Sequence, residues 1–178
     1  MHPDVEKILF TKEDIAQKVK SLAGMISRDY ENRNPLLISV LKGSFIFMAD
    51  LVREITVPCN VDFMAVSSYG KKSVTTGAVK ILKDLDSRVE GRHVVIVEDI
   101  LDSGLTLRYI INYLTGGKPA SIRICTFLDK PARRQADIRP DYTGFIVPDE
   151  FIVGYGLDYA EKYRNLPYVA VLRREVYS

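Results

Sequence analysis

The chain has 178 residues, 47% of them hydrophobic and 27% charged, the balance of one globular domain large enough to bury a sizeable core. A formal net charge of +2 is too mild to argue for nucleic acid as a partner, and no apolar run approaches the length of a membrane span. The opening MHPDVEKILF lacks the basic-then-apolar layout of a secretory signal, so a cytoplasmic protein is expected.

Residues 11 to about 30 predict an amphipathic helix capped by Thr11, with Asp14 in its first turn and Ile15, Val19, Leu22, Ala23 and Ile26 in one apolar stripe. Leu36-Leu37-Ile38-Ser39-Val40-Leu41 reads as a buried strand, and Lys42-Gly43-Ser44 as a turn into a helix ending near Glu54. A strand, a small-residue turn and a helix leave free N–H groups at the strand's carboxyl end, which suits an anion. Residues 61–67 alternate well enough for a strand. The glycine-bounded polar stretch from Ser68 to Gly77 reads as a loop, and 79–82 resumes the sheet.

The most informative stretch is 93–107, HVVIVEDILDSGLTL. Val94 to Val97 form the β-branched run of a strand buried on both faces of a parallel sheet. Glu98 and Asp99 follow, and an unpaired charge at a buried edge costs several kcal/mol, so the two acids should face a cleft. Asp102-Ser103-Gly104-Leu105-Thr106 then enters a helix, where backbone N–H groups at the positive end of the dipole suit phosphate. Carboxylates just before it suit ribose hydroxyls. Together they describe a ribose 5-phosphate at the carboxyl end of a strand.

Residues 121–128 predict a further strand, with Lys130 just past its end. GFIVPDEFIVGYGLDY, residues 144–159, holds Phe151 and an acid, Asp158, in an apolar setting, and 168–172 closes the sheet. Arg133-Arg134 and Arg173-Arg174 read as solvated pairs. Cys59 and Cys125 read as reduced packing residues, and neither His2 nor His93 is placed to act as a base.

VVIVEDILDSGLTL resembles the phosphoribosyl pyrophosphate (PRPP) motif of the type I phosphoribosyltransferases: four apolar residues, two acids, two apolar residues and a D-[ST]-G-x-T loop. The flanking segments resemble the bacterial hypoxanthine-guanine branch of that family, from about Val5 to Val171. The resemblance implies an α/β fold with a mostly parallel sheet flanked by helices, forming a single domain over 1–178. It also implies a small hood from the N-terminal segment and about 145–178, and a flexible lid over about 68–78.

The same resemblance implies transfer of the 5-phosphoribosyl group from PRPP to N9 of a 6-oxopurine, with Mg²⁺ as cofactor. The 5-phosphate and ribose would fall to Glu98, Asp99, Asp102, Ser103, Gly104, Leu105 and Thr106. Pyrophosphate would fall to Lys42, Gly43 and Arg164, with Ser68 and Tyr69 of the lid. A cis peptide is implied before Lys42. The purine would meet Lys130, stack on Phe151 and bond to the backbone of Ile152. Asp158 stands near the base and supports magnesium through water beside Glu98 and Asp99. Asp102 would be the base, acting on N7. Neither a nucleic acid nor a membrane is an expected partner, and a homodimer or homotetramer is. Two other readings share the motif: an RNA-binding, nucleotide-sensing regulator on the same fold, and a xanthine-preferring transferase.

Overall fold

A computed structural model of the protein describes residues 1–68 and 79–178, with only the backbone described for Ser68. The expected lid contacts, Tyr69 and the Ser68 side chain, therefore lie outside the described residues. In chain order the elements are β1 (Val5–Phe10), α1 (Lys12–Asp29), β2 (Leu36–Leu41), α2 (Phe45–Glu54), β3 (Asn60–Ser68) and β4 (Val79–Lys83). They continue with β5 (His93–Leu101), α3 (Leu105–Gly116), β6 (Ser121–Asp129), β7 (Tyr142–Ile146), β8 (Ile152–Val153), β9 (Val169–Leu172) and the single turn α4 (Arg174–Tyr177).

The main sheet has the order β4-β3-β2-β5-β6-β7 and is parallel except for the antiparallel edge strand β4. The central strands β2 and β5 carry continuous apolar runs because both faces are covered there. Leu37, Val95, Val97, Cys125 and Phe127 turn to the side of α1 and α2. Leu36, Ile38, Val94, Ile96 and Ile124 turn to the side of α3. The expected α1 is present with its cap: Asp14 N donates to Thr11 Oγ1 at 3.2 Å, and Thr11 N donates back to Asp14 Oδ2 at 2.9 Å.

Strand β2 is followed by β3 on one side of it and later by β5 on the other. The chain thus reverses direction across the sheet between β2 and β5, and in an open α/β sheet the crevice at such a point binds ligands. A second sheet, β1-β9-β8, is antiparallel and contributes Ile152 and Val169 to the core shared with α1 and α2.

Candidate active site

The acids Glu98 and Asp99 do not end β5. The strand runs on through them to Leu101, with Glu98 opposite Thr126 and Ile100 opposite Leu128 in β6. Both carboxyls are hemmed in by protein. Burial, and then repulsion from Asp99, holds the Glu98 carboxyl well above the usual range, and burial pushes that of Asp99 up to about 6.

Beyond Leu101 the chain turns sharply. Gly104 has φ +77, the left-handed region that glycine tolerates, and a Cβ there would lie 3.2 Å from Ala136 Cβ and 3.3 Å from Arg134 Cδ. Helix α3 begins directly after it, with no side-chain cap and no acid in its first turn, so nothing internal neutralises its positive end. Glu98, Asp102, Ser103, Gly104 and Thr106 surround a recess of about 110 Å³ at this turn. Leu105 does not line it. Its side chain is exposed, and its N–H reaches Ser103 Oγ at 3.4 Å.

What holds this turn was not legible beforehand. Arg134 is no solvated residue: its side chain is 15% exposed, Nε donates to Asp102 O at 2.9 Å, and Nη1 donates to Ile138 O at 2.6 Å. Its Nη2 reaches Leu101 O at 3.2 Å and pairs with the Asp129 carboxylate. The pairing of Arg133 and Arg134 in sequence hides two fates, since Arg133 is 57% exposed. The backbone repeats the clamp, with Gln135 N and Ala136 N both donating to Ser103 O.

On the neighbouring strand, the turn after β2 contains a cis Leu41–Lys42 peptide, as the resemblance implies. Ser44, fully buried, donates to Val40 O at 2.6 Å and pairs with Ser39 Oγ at 2.7 Å, which fixes the turn from below. Gly43 lies against the acids: a Cβ on it would fall 1.8 Å from Asp99 Oδ2. Gly43 O in turn sits where a Cβ on Gly156 would come within 2.1 Å, so three segments close on one point without room for a side chain.

A larger cavity of about 560 Å³ lies between the two sheets, lined in part by Ile100, Asp102, Lys130, Phe151, Ile152 and Asp158. Lys130 is 5% exposed, and its Nζ spends one donor on Glu150 O at 2.8 Å, leaving two. The Asp102 Oδ1 atom is shielded from solvent with no hydrogen-bond donor in reach among the described residues, and the nearest cation, Arg133 Nε, is 3.8 Å away. Such an orphaned acceptor beside a cavity is a place for a ligand's N–H. One face of Phe151 is stacked on Tyr177, centroids 4.7 Å apart and planes 28° apart. Tyr177 and Arg174 also line this cavity, and nothing in the sequence beyond an aromatic near a basic pair signalled them.

Arg164 is in a loop rather than a helix, with its side chain 20% exposed. Its Nη2 pairs with Asp158 Oδ1 at 2.9 Å, Nη1 donates to Gly156 O at 2.8 Å, and Nε is shielded without a partner among the described residues. Neither cysteine offers a nucleophile, since burial pushes the thiols of both Cys59 and Cys125 up and away from ionisation.

Comparison with known proteins shows the family. The phosphoribosyl transferase domain model matches residues 6–160. Hypoxanthine-guanine phosphoribosyltransferase of Bacillus subtilis is 54% identical over 178 residues, spanning 100% of this chain and 99% of that protein. A bifunctional TilS/HprT protein of Listeria monocytogenes is 49% identical over the same span, but the chain covers only 28% of its length. Among solved structures, hypoxanthine phosphoribosyltransferase of Staphylococcus aureus superposes with a TM-score of 0.96 at 48% identity, covering 100% of this chain and 97% of that one.

Proposed function

This chain belongs to the hypoxanthine-guanine phosphoribosyltransferases, and from that premise we propose that it salvages purines, transferring the 5-phosphoribosyl group of PRPP to N9 of hypoxanthine or guanine and releasing IMP or GMP with pyrophosphate. One observation carries the proposal. Asp102, whose shielded Oδ1 has no donor among the described residues, and Lys130, whose ammonium spends one donor on Glu150 O, line the same cavity, a proton acceptor and a donor set for the edge of a 6-oxopurine. A donor opposite C6 favours an oxo group and disfavours the amino group of adenine.

With no activated nucleophile among the described residues that line the site, the economical route is direct displacement through an oxocarbenium-like state. The turn at 102–106 holds the 5-phosphate through amides and hydroxyls, with the open end of α3 behind it. Glu98 and Asp99 take the ribose hydroxyls and offer negative charge to the developing cation. Lys42, the amides around Gly43 and Arg164 take the pyrophosphate, and Asp102 accepts the purine proton at N7. Phe151 offers its ring to the base, and the backbone of Ile152 bonds the base edge.

Mg²⁺ fits this donor set. The carboxylates of Glu98, Asp99 and Asp158 are the hard oxygen ligands such an ion takes, few in number beside its waters and substrate oxygens. Glu98 and Asp99 would hold it beside the ribose and Asp158 through water. When bound, it supplies charge neutralisation on the leaving pyrophosphate. The Ser68-Tyr69 pair is proposed to close over that group. Among the described residues no helix is long and apolar enough to cross a membrane. A cytoplasmic homodimer or homotetramer remains our reading.

A nucleotide-formation assay tests the whole. Purified protein with PRPP and Mg²⁺ should form IMP from hypoxanthine and GMP from guanine, and little or nothing from adenine or uracil. Xanthine as the best substrate would transfer the reading to the xanthine enzymes. Failure with every base while PRPP still binds would leave the RNA-binding regulator. A second expected result concerns the glycine against Asp99. Gly43→Ala should lower kcat/KM for PRPP by about a hundredfold, because displacing a positioned group by 1 Å costs that much, while the KM for hypoxanthine changes little.

A further inference from the structure

Lys42 and Arg164 hold one carboxylate between them, from segments far apart in the chain. Lys42 Nζ donates to Glu161 Oε2 at 3.1 Å, and Arg164 Nη2 lies 3.4 Å from Glu161 Oε1. The local backbone aims that carboxylate. Ala160 and Glu161 both lie in the left-handed region, with φ +51 and +62, which side-chain-bearing residues rarely adopt. Glu161 N donates to Asp158 Oδ2 at 2.9 Å, which fixes the turn. Arg164 is anchored through Nη1 to Gly156 O, yet its shielded Nε has no partner among the described residues. Glu161 thus meets both cations, while Arg164 is shared with Asp158, whose Oδ1 lies 2.9 Å from Nη2.

We propose that Glu161 is an internal stand-in for pyrophosphate, holding the two cations that bind the leaving group and yielding them whenever PRPP or pyrophosphate arrives. The inference rests on the reading of Lys42 and Arg164 as pyrophosphate contacts. The Glu161 side chain is 65% exposed, and ion pairs so placed are screened and easily given up. Pyrophosphate carries more charge than one carboxylate, so it displaces the glutamate. The pairs broken on entry are remade on exit. Glu161 therefore loosens both PRPP and pyrophosphate and favours release of the product, without touching the purine.

Glu161→Gln keeps the size of the side chain and removes its charge. With the full chain and Mg²⁺, inhibition by pyrophosphate against PRPP should become roughly two- to fivefold tighter, the scale of exposed ion pairs. KM for PRPP should fall alongside it, with KM for hypoxanthine unchanged and the effect shrinking at high ionic strength. Glu161→Ala, which removes the charge by another route, should shift pyrophosphate inhibition in the same direction. Pyrophosphate inhibition that is unchanged or weaker in both variants overturns the proposal. Lys42→Gln, measured in parallel, separates the two levels of the argument. If it weakens pyrophosphate inhibition while the Glu161 variants do nothing, the stand-in alone fails. If Lys42→Gln also changes nothing, the pyrophosphate reading of these cations fails and the inference falls with it.

Discussion

Asp102→Asn is expected to lower kcat with hypoxanthine by about a hundredfold or more, within the range that a positioned acid or base contributes, while leaving PRPP binding and the melting temperature near those of the parent. As N9 bonds to the ribose the purine gains positive charge unless N7 gives up its proton. An amide oxygen can accept a hydrogen bond from that N–H but cannot take the proton away. The turn at 102–106 should survive the change. It is held by Arg134 through the backbone carbonyls of Leu101 and Asp102, and no donor among the described residues uses the Oδ1 that the substitution alters. A loss spread equally over PRPP binding and turnover would therefore point to a disturbed loop. The discriminating readout is a series of purine analogues of graded ring N–H acidity. The more acidic the proton, the less the reaction depends on a base, so the penalty should shrink along the series. A kcat within about threefold of the parent, measured with the chemical step limiting, would falsify the assignment of Asp102 as base.

Much of this site was legible in the sequence because its reactive groups follow buried strands. A β-branched run such as Val94 to Val97 can only be a strand covered on both faces, and what comes after it must sit at the sheet's carboxyl edge. Lys42, the turn at 102–106 and Lys130 were located by that one rule, with their roles implied by the family resemblance, whereas Glu98 and Asp99 lie within β5 itself. The antiparallel sheet was harder. VEKILF in β1 is partly exposed and pairs with β9 through two register shifts, and β8 is two residues long, so neither carries a regular period. Arg134 escaped for a different reason. PARRQ is polar in every window, and only the approach of residues 130–138 to the phosphate turn, a tertiary event, turns one of its two arginines inward. Glu161 escaped likewise, since its importance lies in which cations surround it.

Asp99→Asn should act in opposite senses on activity and stability, and the pH dependence shows why. An unfolded aspartate titrates near 3.8, whereas burial holds the folded Asp99 carboxyl near 6. Between those values the folded protein keeps a proton that the unfolded chain has lost, so stability falls as pH rises through that window. The penalty is complete above about pH 6 and absent below about pH 4. At pH 8 the asparagine variant should be more stable by about 1–3 kcal/mol, allowing for the partial access of the cleft to water. At pH 4 the two proteins should melt together. The amide oxygen can still accept the Ile100 N–H that Asp99 Oδ1 accepts at 2.8 Å, so no bond need be lost. Removing this charge also relieves Glu98, whose carboxyl Asp99 helps to hold high. Activity should move the other way, with kcat/KM for PRPP falling about a hundredfold or more as the site loses an anion that faces the ribose. In the parent protein the same quantity should decline as pH drops below about 6 and Asp99 takes up its proton. A variant that is less stable at pH 8, or a melting difference that does not change with pH, would show that Asp99 is held for structure. The expected pattern would instead mean that the fold carries this carboxylate at a cost in stability for the chemistry it performs.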